Sequence, residues 1–119
     1  MQKLFPKTMQ KIATIEGFQG AVIVNFGTKE VLDYQENAPL DLRQVGEVCA
    51  NMVQRHANMV KVLELSDVAE RILITTKLHY HIIYLVPQFE SVAIYVIVKR
   101  YTMLSYVTQV VEDAVYSMH

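Results

Sequence analysis

Two stretches of this chain are apolar on both faces of an extended backbone, and no other feature restricts the fold as much. In GAVIVNF, Gly20 to Phe26, Ala21 and Ile23 point one way while Val22, Val24 and Phe26 point the other. SVAIYVIV, Ser91 to Val98, repeats the pattern. Side chains alternate across a strand, so neither face of these segments can stand in water. Each belongs at the centre of a sheet covered on both sides. No apolar run nears the ~20 residues of a membrane span, and the longest, Val92 to Val98, is strand-sized. With 119 residues and 52% hydrophobic content, the chain reads as one domain, 1–119, whose apolar surplus fills a core and leaves some for a subunit interface.

The remaining elements follow from local signals. Pro6 suits the first turn of a helix that carries Met9, Ile12 and Ala13 and stops near Gly17. Gly27-Thr28 turns the first strand into KEVLDY, whose Lys29, Glu30 and Asp33 suit a sheet edge. Asp41 with Gln44 three residues on resembles a capping box, and a long helix follows to Leu63. RILITT and HIIYLV are β-rich runs separated by a turn at Lys77 to Tyr80, and Pro87 ends the second. From Thr102, an N-cap candidate, an amphipathic helix closes the chain. The order is α-β-β-α-β-β-β-α. Hairpin links imply antiparallel pairing, with the second and third strands at the edges. The fold class is therefore an α/β (α+β) three-layer sandwich.

The long helix bears two rows. Leu42, Val45, Cys49, Met52, His56, Met59 and Leu63 make a core face at helical spacing. Gly46, Ala50, Val53 and Ala57 form a second row of small side chains. Such a row either lets another helix approach closely or widens the core face.

Several chemistries find little support. A net charge of -1 and scattered basic residues argue against nucleic acid. The single Cys49 rules out an internal disulfide and reads as a small core hydrophobe, and the N-terminus lacks the apolar core of a signal peptide. A cytoplasmic location is expected. No phosphate loop, nucleophile elbow or HExxH occurs, so no enzyme, catalytic residue or cofactor is expected. His79 and His81 have the spacing of a metal pair on a strand, yet third and fourth ligands are missing, and no metal is expected. They read instead as a solvated turn residue and a strand-entry residue. His56 reads as a hydrogen-bonded core histidine, and His119 as a mobile end.

GFQGAVIVNFGTKEVL, the long helix, and ERILITTKLHYHIIYLVPQFESVAIYVIVKR together resemble the roadblock (dynein light-chain) domain family, a relative of the profilin-like and longin folds. The resemblance spans roughly Pro6 to Met118 and is to a stand-alone bacterial or archaeal type. It implies a sheet order of 2-1-5-4-3, the long helix on one face, and the first and last helices on the other. It also implies a dimer with itself or a paralogue. There Gly46, Ala50, Val53 and Ala57 would line a helix pair, and Arg71, Ile72, Leu73, Ile74, Thr75 and Thr76 would pair edge to edge. The implied role is a non-enzymatic scaffold for a small Ras-like GTPase. Its contacts would be the polar positions Gln44, Glu47, Asn51, Gln54, Arg55 and Asn58. The alternative is a profilin-like small-molecule sensor, with Tyr80, Tyr84, Tyr95, Tyr101 and His81 lining a cleft.

Overall fold

The structure is a computed structural model that describes residues 3–118. His119 and the side chain of Leu42 lie outside the described residues. The elements are α1 (Pro6–Ile12), β1 (Phe18–Asn25), β2 (Glu30–Glu36), α2 (Leu42–Val62), β3 (Arg71–Thr75), β4 (His79–Leu85), β5 (Val92–Lys99) and α3 (Leu104–Tyr116). All strands join one antiparallel sheet in the order β2-β1-β5-β4-β3. The two doubly apolar strands, β1 and β5, sit side by side, with β2 and β3 at the edges, as the residue pattern requires.

Strand alternation divides the core in two. Ala21, Ile23, Ile82, Ile94, Val96 and Val98 face a layer made by Met9 and Ile12 of α1 and Val107 and Val111 of α3. Val22, Val24, Ile83 and Ala93 face the other way, toward Cys49 and Val53 of α2. Burying one such aliphatic side chain stabilises by roughly 1.5–3 kcal/mol, so both layers are needed to hold the central strands.

Local chemistry sets the ends of the elements. Asp41 caps α2, its carboxylate accepting from the Gln44 N–H at 3.1 Å. Asn25 bends the β1–β2 turn by accepting from Gly27 and Thr28 N–H at 2.9 and 3.1 Å. Gly17 has φ +87 and leaves no room for a Cβ against Thr102, so only glycine joins α1 to β1 at this point.

Four local expectations need correction. Thr102 does not cap α3: the N-cap is Met103, and the Thr102 hydroxyl donates to the Glu16 carbonyl at 2.9 Å. His79 is not a turn residue but the first residue of β4, opposite Lys99. Asp33 is not edge decoration. It is fully buried, its carboxylate accepting from the N–H groups of Phe5 at 2.7 Å and Tyr34 at 2.6 Å. A buried carboxylate requires such donors, and the bond from Phe5 ties the N-terminal segment onto β2. The fourth correction, the rotation of α2, bears on the candidate site.

Candidate interaction surface

The small row of α2 widens the core face, the second of the two readings its spacing allows, and is not free to line a helix pair as the resemblance implies. Gly46, Ala50 and Val53 are buried against the chain's own sheet, together with Cys49. A Cβ on Gly46 would lie 3.3 Å from methyl groups of both Val24 and Val31. Small side chains let the helix settle close to β1 and β2, so most of this row is consumed within one chain and only Ala57 is exposed. Of the expected core row, Cys49 is buried as expected, while the others described lie along the flank. Val45, Met52 and His56 are half-buried, and Met59 and Leu63 are more than half exposed. With Val48, also exposed, the flank recurs at steps of three and four residues along the helix. Cys49 itself is inert: burial pushes its thiol up to about 12.

This flank continues onto the sheet. α2 packs over β1 and β2. On the same side of β5, β4 and β3, the side chains of Ile97, His81, Ile72 and Ile74 stay partly or well exposed. Beyond the helix end, Val62 and Leu65 are exposed as well. Single exposed aliphatics are ordinary on protein surfaces, whereas an adjoining set of this kind marks an interaction face.

β3 bounds that face as an edge strand. Glu70 accepts from Leu85 N–H at 3.0 Å, and Thr76 N–H donates to the His79 carbonyl at 2.9 Å. Even-numbered residues therefore bond to β4. The N–H and C=O groups of Arg71, Leu73 and Thr75 point away from the sheet. Arg71 is further held by Tyr84 Oη at 3.3 Å and Glu112 at 3.5 Å, an exposed ion pair of small energetic weight.

Gln44, Glu47, Asn51, Gln54, Arg55 and Asn58 are all exposed. They form a polar ridge on the side of α2 turned from the sheet, beside the apolar flank. Gln54 is already engaged, donating to the Phe26 carbonyl at 3.0 Å.

The tyrosine cleft does not form. Tyr80 and Tyr84 face α3, Tyr95 and His81 face the α2 side, and Tyr101 lies exposed beyond β5. What does form is a pair: His81 Nδ1 and Tyr95 Oη are 2.6 Å apart, with the His79 ring 6.0 Å from that of His81. Among the described residues no three of His, Cys, Asp and Glu converge as a metal would require. Burial, and secondarily His79, lowers the proton affinity of His81 below its ordinary 6.5. The unfolded chain thus binds more protons than the folded one once pH falls below 6.5, and stability must fall with it. Melting temperature is expected to be level from about pH 8 to 7 and to decline toward about pH 5. Replacing His81 by glutamine should flatten part of that decline in parallel melts, and an unchanged slope would refute the assignment.

On the opposite side of the sheet an open groove of about 920 Å³ runs between Val68, Arg71, Tyr84, Phe89, Glu112 and Tyr116. No helix among the described residues is long and apolar enough to cross a membrane.

No protein-family model matches the sequence, and no curated protein matches it significantly. Solved structures do. A roadblock/LC7 domain from Streptomyces avermitilis superposes with a TM-score of 0.84 at 8% identity, over 98% of this chain and 94% of that one. Myxococcus xanthus MglB superposes with a TM-score of 0.81 at 13% identity, over 94% and 91%. MglB with a tetrameric arrangement gives 0.79 at 12% identity, over 92% and 81%. At such identities the likeness is one of fold, and the fold is that of the roadblock domain.

Proposed function

We propose that this chain is a non-enzymatic regulatory module that pairs with a second copy of itself and holds a small Ras-like GTPase, or a complex containing one. The observation that carries the reading is the single apolar surface formed by the α2 flank, the uncovered half of the sheet and the β3 edge. A second copy laid across it removes that surface from water and satisfies the open strand edge in one step. The tetrameric arrangement known for MglB, a protein of the same fold, supports self-association. The polar ridge of α2 stays outside this contact, available to a further partner. Nothing in the site has the arrangement of an acid–base or nucleophilic centre, and fold likeness alone assigns no activity.

Light scattering after size exclusion is expected to give twice the mass of one chain. Met59→Glu sets a charge on the exposed flank without touching the core, and should weaken self-association at least ~10-fold. The same protein, used as bait in lysate loaded with GTP analogue or GDP, should retain a small GTPase. Recovery of none in either state counts against the GTPase while leaving the dimer standing.

A ligand-sensor reading retains one observation in its favour, the open groove beside Tyr84, whose size suits a small molecule. A compound that co-purifies and is seen by native mass spectrometry would support it over the GTPase reading.

A further inference from the structure

We infer that the groove beside Tyr84 binds a small amphiphilic amine, its apolar body along the groove and its ammonium against Glu70 and Glu112. The inference rests on the ligand-sensor reading and names the class of ligand.

The lining calls for an apolar body. At about 920 Å³ the groove falls within the range of small-molecule sites, which run to roughly 1,000 Å³. Val86, Val92, Val115 and Met118 line it and are buried, while Val68 and Tyr116, which also line it, are 82% and 88% exposed. A buried apolar floor with exposed apolar walls gives an aliphatic or aromatic body contact on more than one side.

The backbone around the groove is already engaged. Leu85 N–H donates to the Glu70 carbonyl at 3.0 Å, Val86 N–H to the Val92 carbonyl at 3.0 Å, and Phe89 N–H to the Val86 carbonyl at 3.4 Å. The side-chain amide of Gln88 donates to the Val115 carbonyl. An extended peptide laid here would bury amide groups against donors and acceptors that are taken, and unpartnered polar groups are costly. An apolar body with a single charged end avoids that cost.

Charge selects the sign of that end. The charged residues lining the groove are Glu70, Arg71 and Glu112. Asp67, Glu90 and Asp113, all exposed, each adjoin a lining residue in the chain, and no lysine does. Arg71 and Glu112 meet at 3.5 Å with both side chains about half exposed, a pair weak enough for Glu112 to accept a second cation. The end of α3 adds to the same sign. Val115 and Tyr116 bring the helix C-terminus to the groove, where partial negative charge ordinarily calls for basic side chains. The last turn of α3 has none, and Glu112 and Asp113 stand there instead. A bound ammonium supplies the cation that the chain omits. A carboxylate ligand would face two glutamates and the helix end, with Arg71 alone to receive it.

Three probes of one chain length separate the classes: n-octylammonium, 1-octanol and n-octanoate. Each is titrated, below its micellar range and at low salt and neutral pH, into the isotope-labelled full chain. Octylammonium is expected to shift the amides of Val68 to Arg71, Tyr84 to Val92 and Glu112 to Met118 saturably. It should bind roughly 10-fold tighter than octanoate, with octanol between them. Combining Glu70→Gln with Glu112→Gln should bring the ammonium to the level of octanol. Both carboxylates are exposed, so the fold should tolerate the change, and circular dichroism verifies this. An ammonium preference unchanged in that variant would overturn the pairing with Glu70 and Glu112. Tighter binding of octanoate at the same amides would overturn the amine class and leave the sensor reading standing. No shift with any probe would overturn the site, and with it the observation that favours a sensor. Groove amides that shift on dilution of the protein alone would assign the groove to a second copy and overturn the ligand.

Discussion

Replacing Gly46 by leucine is expected to destabilise the folded chain itself rather than to divide a dimer. The helix lies so close to β1 and β2 at this point that even a Cβ would touch Val24 and Val31 at 3.3 Å. A leucine adds three more carbons between two layers that are already packed. Overpacking of this kind costs about 1–3 kcal/mol, and the upper part of that range applies because the obstacle is two strands of the sheet. The gain in helix propensity over glycine returns at most ~1 kcal/mol. A net loss of about 2 kcal/mol corresponds to roughly 10 °C in melting temperature for a domain of this size. Gly46→Ala is the control: its single methyl asks only a few tenths of an ångström of the Val24 and Val31 methyls, so its melt should stay within a few degrees of wild type. If Gly46→Leu melted normally and eluted as a monomer, the small-residue row would be a seam between copies after all, and the orientation of α2 would be wrong.

Asp33→Ala is expected to cost about 3 kcal/mol. Its carboxylate is fully buried and is the acceptor for two backbone N–H groups, those of Phe5 and Tyr34. Hydrogen bonds to an ionised group contribute about 1.5–3 kcal/mol each, and donors left buried without an acceptor add their own penalty. The loss should be local as well as global. Phe5 is the N-cap of α1, and Leu4 N–H donates to the Leu32 carbonyl beside it. Amide exchange in residues 5–9 should therefore accelerate more than exchange in β5. Equal acceleration throughout, or a melting temperature unchanged within a degree or two, would show that the tie does not hold the N-terminal segment.

Asp33 also marks where sequence reading reaches its limit. An aspartate in KEVLDY looks like a solvated edge residue, because nothing nearby in the chain announces the donor. That donor, the Phe5 N–H, comes from 28 positions earlier. The same applies to Thr102, whose hydroxyl meets Glu16 across 86 residues instead of capping the adjacent helix. By contrast the Asp41 cap is legible, since its acceptor and donor are three residues apart. Local hydrogen bonds can be read from a sequence, and long-range ones await the fold.

What the amino-acid order determined alone is the sandwich. Two strands apolar on both faces must be central, hairpin-length connections make the pairing antiparallel, and 3.6-residue periodicity supplies the helices that cover the sheet. What only the tertiary structure decided is which way α2 faces. Its large apolar row and its small row both fit a 3.6 period, so periodicity cannot choose between them. Close approach chooses: Gly46, Ala50 and Val53 let the helix reach β1 and β2, while Val48, Met59 and Leu63 are turned outward. The free edge of β3 was decided in the same way. RILIT reads as a strand from its residues, but which of its N–H and C=O groups remain open depends on its pairing with β4. That pairing is a contact between segments, and no single segment contains it.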